Sequence, residues 1–182
     1  LAGGSPGQVA PAAAPVRPGI DVLLADSAHL VRGRRVGLVT NNTGVDHAGT
    51  SDVDRLLASG VKLVALFSPE HGIRGVLDEA VPESVDQKTG LPIHSLYGAV
   101  RRPTDEMLRG LDAVVIDLQD IGTRFYTYMT SMAYVMEEAA PRKIKVFVLD
   151  RPNPIGGVQV EGPSLDKPGG FTGYMTSMPI RH

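Results

Sequence analysis

Four short apolar runs, each closed by a polar burst rich in glycine, proline or amides, constrain this chain more than any other feature. Val36-Gly37-Leu38-Val39-Thr40 opens into Asn41-Asn42-Thr43-Gly44, and Lys62-Leu63-Val64-Ala65-Leu66-Phe67 opens into Ser68-Pro69-Glu70-His71-Gly72-Ile73-Arg74-Gly75. Ala113-Val114-Val115-Ile116-Asp117-Leu118 leads to Gln119-Asp120-Ile121-Gly122-Thr123-Arg124, and Val146-Phe147-Val148-Leu149 leads to Asp150-Arg151-Pro152-Asn153-Pro154. Runs this short and this continuously apolar read as strands buried on both faces, which is the pattern of a parallel sheet. Such sheets carry their functional loops at the carboxyl ends of the strands. Four strands pointing one way bring all four bursts to one rim.

The intervening sequence supplies the crossovers. Ile20, Leu23, Leu24 and Leu30 suit a short helix ahead of the first strand, and Val53, Leu56 and Leu57 a second helix that Ser51 or Thr50 caps and Gly60 ends. Thr104 caps a third, with Asp105 and Glu106 in its first turn. Tyr126 to Ala140 reads as an amphipathic helix with Met129, Met132, Ala133, Met136 and Ala140 on its buried face. Residues 76–90 read as a long polar loop. Leu91 to Tyr97 reads as an extra strand made peripheral by Pro92, and Val158-Gln159-Val160 as one brief strand. Alternating strands and helices give a doubly wound α/β layer with both sheet faces covered.

Composition narrows the function. Lys+Arg 18 against Asp+Glu 20 leaves a net charge of -2, so no bulk basic field argues for nucleic acid. No apolar stretch has the ~20 residues of a membrane span. Cysteine is absent, which excludes disulfides, thiolate metal sites and cysteine nucleophiles. Residues 1–18 are almost wholly Ala, Gly, Pro, Ser, Gln and Val and read as a disordered tail. That tail suits what remains after signal-peptide removal or a tether of an exported protein, and equally an ordinary disordered terminus. Residues 19–155 form the expected α/β domain. Residues 156–182 bring no closing element, so they read as the start of a connection to further polypeptide.

The chemistry gathers at the bursts. Glu70, just past a buried strand and shielded by Phe67 and Pro69, is a candidate general acid; capping its own turn or pairing with Arg74 are the structural alternatives. His71 can shuttle a proton, donate to a substrate oxygen, bind a metal or satisfy a loop carbonyl. Asp117 shares a strand face with Gln119, and such an aspartate needs a partner, for which Arg124 is the obvious candidate. Tyr126 can stack on a sugar or pack as core. Asp150 to Pro154 sets an acid, a guanidinium and an amide in a stretch stiffened by two prolines. Arg74, Arg124, Arg151 and Arg181 offer forked donors for a carboxylate or phosphate. The first turn, Asn41 to Gly44, has neither a G-x-G-x-x-G nor a P-loop, no G-x-S-x-G elbow occurs, and no histidine pair stands at zinc-ligand spacing. A bound cofactor or metal is therefore not expected.

With these segments in view the chain resembles the NamZ-like exo-β-N-acetylmuramidase family. The carriers are Val39-Thr40-Asn41-Asn42-Thr43-Gly44, Phe67 to Gly75 with its Pro-Glu-His-Gly centre, Ser95-Leu96-Tyr97-Gly98, Asp117 to Tyr128, Leu149 to Pro154, and Pro179-Ile180-Arg181-His182. The resemblance implies a Rossmann-like doubly wound, mostly parallel sheet and a smaller C-terminal domain that is missing from these residues. It implies a glycoside hydrolase removing N-acetylmuramic acid from non-reducing ends of peptidoglycan fragments, with Glu70 as the leading catalytic candidate beside His71 and Asp120. Muramyl sugars are then the partner, together with the C-terminal half of the same protein. A rim arginine suits the lactyl carboxylate, and Asp120 with Asn153 suits the 2-acetamido group. Asn41, Arg74, Gln119, Arg124, Tyr126, Arg151 and Arg181 complete the expected substrate-binding set. A sugar-binding module without catalysis and a nucleotide-binding domain are the competing readings.

Overall fold

A computed structural model describes residues 16–70, 72–73, 84–163, 166–167 and 169–174. Chain order is α1 (Gly19–Asp26), β1 (Arg35–Thr40), α2 (Asp52–Ala58), β2 (Lys62–Ser68), β3 (Ser84–Val85), β4 (Pro92–Ser95), α3 (Asp105–Leu108), β5 (Ala113–Asp117), α4 (Tyr128–Ala139) and β6 (Lys145–Val148). The six strands form one sheet in the order β3-β4-β2-β1-β5-β6. All pairings are parallel except that of the two-residue β3 with β4. The sheet therefore winds outward in both directions from β1 and β5, and the order reverses between these two strands.

Strand alternation sorts the core into two layers. Val36, Leu38, Leu63, Leu66, Ala113 and Val115 pack with Ile20 and Leu23 of α1 and Val53 and Leu56 of α2. Val39, Ala65, Phe67, Val114 and Ile116 pack on the opposite face with Met107 and Leu108 of α3 and Val135 and Ala139 of α4. Burying each large aliphatic or aromatic side chain contributes about 1.5–3 kcal/mol. The ladder between β1 and β2 slips after Val36, which pairs with Leu63 while Gly37 pairs with Ala65. The bulge at Val64 resets the phase, returning Leu66 to the face of Leu63.

The caps form as the residue types dictate. Ser51 accepts from the Asp54 amide at 3.2 Å and Thr104 from the Met107 amide at 3.4 Å. Three expectations need correction. The buried stripe of α4 is Tyr128, Ser131, Val135 and Ala139, whereas Met129 and Met136 are 42% and 46% exposed. The helix is rotated so that Tyr128 and Thr127 meet partners at the strand ends, while Met132 of the expected face still packs against the core beside Val135 and Ala139. Val158 and Val160 form no strand; they are exposed beside Gly156 and Gly157, with no strand paired to them among the described residues. Finally, β4 is not the outermost strand, since β3 borders it, and β3 itself arises within the stretch read as loop. Pro92 is tolerated because it opens its strand, where its missing N–H breaks no interior ladder bond. Among the described residues no helix is long and apolar enough to cross a membrane.

Candidate active site at the carboxyl ends of the strands

Open α/β sheets bind ligands outside the strand ends where the strand order reverses. Here that crevice lies between Thr40 of β1 and Asp117 of β5, which are register partners. The loops after the two strands are stitched together there. Asn41 Oδ1 accepts from the amide and hydroxyl of Thr43 at 2.9 and 2.6 Å, and the Gln119 amide donates to Thr43 Oγ1 at 3.1 Å. Gln119 Nε2 donates to the carbonyls of Asp120 and Pro152 at 2.6 and 3.0 Å, which ties in the loop after β6. Asn41 and Gln119 thus hold the rim together.

Asn41 reaches further. With Oδ1 turned to Thr43, its Nδ2 donates to the Tyr128 hydroxyl at 2.7 Å. Burial pushes that phenol up to about 12, and Tyr126 beside it adds to the rise. The Tyr126 and Tyr128 rings meet edge-on with centroids 4.8 Å apart. Thr127, between them, stands just ahead of α4 and donates from Oγ1 to Glu70 Oε2 at 2.9 Å. Glu70 is therefore braced by a hydroxyl on the other side of the crevice; it is half-buried at the end of β2.

Beneath this rim lies a buried ionic layer. Asp117, fully buried, is held by Arg151 through Nε at 2.5 Å and Nη2 at 3.0 Å, and Nη2 also donates to the Val45 carbonyl at 2.9 Å. The expected partner Arg124 lies elsewhere, donating to the Pro163 carbonyl at 2.6 Å. Strand alternation indicated which face Asp117 occupies but not which loop returns an arginine to it; β6, adjacent to β5, does so. Burial still pushes Asp117 up against the pull of Arg151. Asp52, at the start of α2, receives Thr40 Oγ1 at 2.6 Å. Burial pushes it up to about 7; the Thr40 hydroxyl opposes this and the Asp117 charge adds to it. Gly44 is required above the pair, since a Cβ there would lie 2.1 Å from Thr40 Oγ1 and 2.4 Å from Asp52 Oδ2.

Open space remains around Asp120. Its Oδ1 accepts from the Gly122 amide at 2.6 Å, while Oδ2 is buried without a hydrogen-bond partner among the described residues, as is Thr123 Oγ1. A cavity of about 300 Å³ is lined by Asp120, Thr123, Arg124, Tyr126 and Asn153 among others. A second of about 280 Å³ has Leu118, Tyr128, Met129 and Met132 in its wall. Gly122, at φ +75°, lets Asn153 close on the loop, because a Cβ would come within 2.4 Å of its Oδ1. A larger groove of about 860 Å³ runs between α1 and β6, with Leu23, Phe147 and Val148 in its wall. It contains little chemistry beyond the rim residues it shares.

Of the expected site residues, Tyr126, Asp120, Arg124 and Asn153 line the cavities and Glu70 stands just past β2 with its carboxylate on Thr127, while Asn41, Gln119 and Arg151 have their side chains engaged in bracing the rim. His71, Arg74 and Arg181 lie outside the described residues. Thr43, Thr127, Tyr128 and Asp52 are neighbours of the rim that sequence reasoning did not single out for these contacts; the threonine preceding α4 was the available signal. Among the described residues one group, Asp21, Asp46 and His47, brings three potential metal ligands within 4.8 Å of one another. Arg55 already faces Asp46 there at 3.1 Å, so a cation occupies that position.

Residues 36–182 match the family model for the N-terminal part of the exo-β-N-acetylmuramidase NamZ. The chain is 47% identical over 171 residues to the peptidoglycan β-N-acetylmuramidase NamZ of Bacillus subtilis strain 168, covering 92% of this chain and 41% of that protein. Two crystal structures of DUF1343 family proteins from Bacteroides fragilis NCTC 9343 superpose with TM-scores of 0.82 and 0.75 at 44% and 35% identity. They are matched over 90% and 92% of this chain, and over 42% and 43% of their own length. The chain thus spans about two fifths of the relatives it matches. On the family match and the shared fold together, it belongs to the NamZ exo-β-N-acetylmuramidase family and represents that family's N-terminal region.

Proposed function

We propose that the full-length protein is an exo-acting glycoside hydrolase that releases N-acetylmuramic acid from the non-reducing ends of peptidoglycan fragments, with Glu70 as its general acid. The observation that carries this reading is the placement of Glu70. It sits at the end of β2, fixed by Thr127 at 2.9 Å, beside a tyrosine pair that borders unfilled cavities. A glycosidic bond breaks when a carboxylic acid protonates the leaving oxygen as positive charge develops at the anomeric carbon. Thr127 engages Oε2, and among the described residues no hydrogen bond engages Oε1, the oxygen assigned here to the leaving group. Tyr126 offers a ring face to the pyranose and Arg124 a guanidinium near the same cavity for the lactyl carboxylate. His71, Arg74 and Arg181 belong to the motifs shared with the family and complete the proposed set.

The remaining polypeptide of the relatives supplies the opposite wall of the cleft, and the protein works outside the cytoplasm, where its polymer lies. The bond-breaking assay uses the full-length protein and a disaccharide with N-acetylmuramic acid at its non-reducing end. Release of free N-acetylmuramic acid, seen by chromatography and mass spectrometry, is the expected outcome. Tight binding of the disaccharide with no product would instead identify a sugar-binding module.

A further inference from the structure

Arg102, in the loop between β4 and α3, anchors a group of side chains that the site described so far does not use. Its guanidinium lies 4.0 Å from the ring centre of Tyr134 in α4 and 5.5 Å from that of Tyr174. Its Nη2 donates to the Tyr174 hydroxyl at 2.9 Å, and that hydroxyl donates its own hydrogen to the Glu137 carboxylate at 2.8 Å. Glu137 closes the ring on Arg102 Nη1 at 2.8 Å. Arg101 lies 4.5 Å from the Phe171 ring centre, and Tyr134 meets Tyr174 edge-on at 4.7 Å. Arginine suits this place because its planar head stacks on rings while its N–H groups stay available for Tyr174 and Glu137. The group thus fastens Phe171 and Tyr174 to α4.

What is fastened there belongs to a cavity wall. The cavity of about 300 Å³ has Ile155, Gly157, Gln159, Val160 and Gly173 in its lining, and Gly173 is the chain neighbour of Tyr174. Little apolar packing fixes that wall: Ile155 is 57% exposed, Val160 63% and Val158 94%. Its place depends on ties, one at the Pro163 carbonyl, which accepts from Arg124 at 2.6 Å, and one at Tyr174. Arg102 itself does not line the cavity. We infer that Arg102 is a positioning residue for substrate binding, acting through Tyr174 and Gly173 on the wall of the cavity that the muramidase reading, on which this inference rests, gives to the sugar.

The test uses the full-length protein and Arg102→Met, which keeps an unbranched stem and loses the charge and the fork. On a muramyl disaccharide KM should rise about five- to tenfold while kcat stays within about twofold, and Arg102→Lys should recover only part of the loss. A second readout is independent of turnover: a glutamate-specific endopeptidase should cut between Glu161 and Gly162 about tenfold faster in Arg102→Met, because cleavage follows the population of the released wall. Tyr174→Phe deletes one hydroxyl and should move KM and cutting the same way by about two- to threefold, which keeps the test decisive if Arg102→Met fails to fold. Unchanged KM, unchanged cutting, or a fall in kcat at parent KM would each overturn the inference. Faster cutting with weaker calorimetric binding of the disaccharide, in a protein that never cleaves it, would keep Arg102 in this role and remove the hydrolase reading. A parent protein that neither binds nor cleaves the disaccharide would overturn both.

Discussion

Replacing Asp52 with asparagine should flatten part of the pH dependence of stability. In the folded chain Asp52 is 1% exposed, and Thr40 Oγ1 lies 2.6 Å from its Oδ2 and 3.3 Å from the Asn41 carbonyl. One hydroxyl hydrogen cannot serve both acceptors. A proton on Asp52 resolves the conflict: the acid donates to Thr40, and Thr40 donates to the carbonyl. Burial pushes the folded group up to about 7 against an ordinary 3.8, so below that pH the folded chain carries the proton. Between those values the folded chain holds a proton that the unfolded chain has lost, so this group's contribution is fully present below about pH 4. It is lost as pH rises through 7. The two values lie roughly three pH units apart, each worth about 1.4 kcal/mol, so up to about 4 kcal/mol is involved. The charges facing Asp52 are Asp117 and Arg151, and both remain in the variant.

Asparagine reproduces the protonated acid, with its NH2 toward Thr40 and its oxygen toward the Val53 amide that now donates to Oδ1 at 2.8 Å. Thermal unfolding of parent and Asp52→Asn from pH 4 to 8 should therefore diverge as pH rises, the variant gaining. At about 2–4 °C per kcal/mol for a chain of this size, the gap should widen by roughly 10 °C and level off above pH 7. Parallel profiles, or a gap that narrows with rising pH, would refute a shared proton at Asp52.

Other consequences are as concrete. Arg151→Met strands the buried Asp117 carboxylate and should destabilise by about 3–5 kcal/mol in denaturant unfolding. Arg151→Lys should recover only part of that, because an ammonium cannot reproduce the fork to Asp117 and Val45. Thr127→Val in the full-length protein removes the brace on Glu70 and should lower kcat about tenfold with KM nearly unchanged, consistent with one hydrogen bond of about 1.4 kcal/mol. Thr127→Ser should restore it, whereas a KM effect alone would assign Thr127 to substrate binding.

The strands and their rim were legible because a parallel sheet buried on both faces leaves little freedom: Val36 to Thr40 or Ala113 to Asp117 can hardly be anything else. The loops that follow were legible as a group for the same reason, so the placement of Glu70, Asp120 and Asn153 on strand-end loops was readable without coordinates. What stayed hidden depends on rotation and return paths. Helical spacing placed the methionines of α4 inward, but the contacts of Thr127 with Glu70 and of Tyr128 with Asn41 fix the helix in another phase. These partners are 57 and 87 residues apart in sequence, beyond any local pattern. By sequence Asp52 is an acid in the first turn of a helix, an ordinary place for one; the packing of Gly44 and Thr40 against it makes it a buried, proton-holding group.

The central claim is that Glu70 supplies the proton to the leaving sugar, and Glu70→Gln in the full-length protein tests it most directly. Gln retains the size of the side chain and can still accept from Thr127. Release of N-acetylmuramic acid from a muramyl disaccharide at saturating substrate should fall by about 10²–10⁴. Calorimetric binding of the disaccharide and thermal unfolding should stay at parent values. Turnover at the parent rate by a folded Glu70→Gln protein would contradict the assignment.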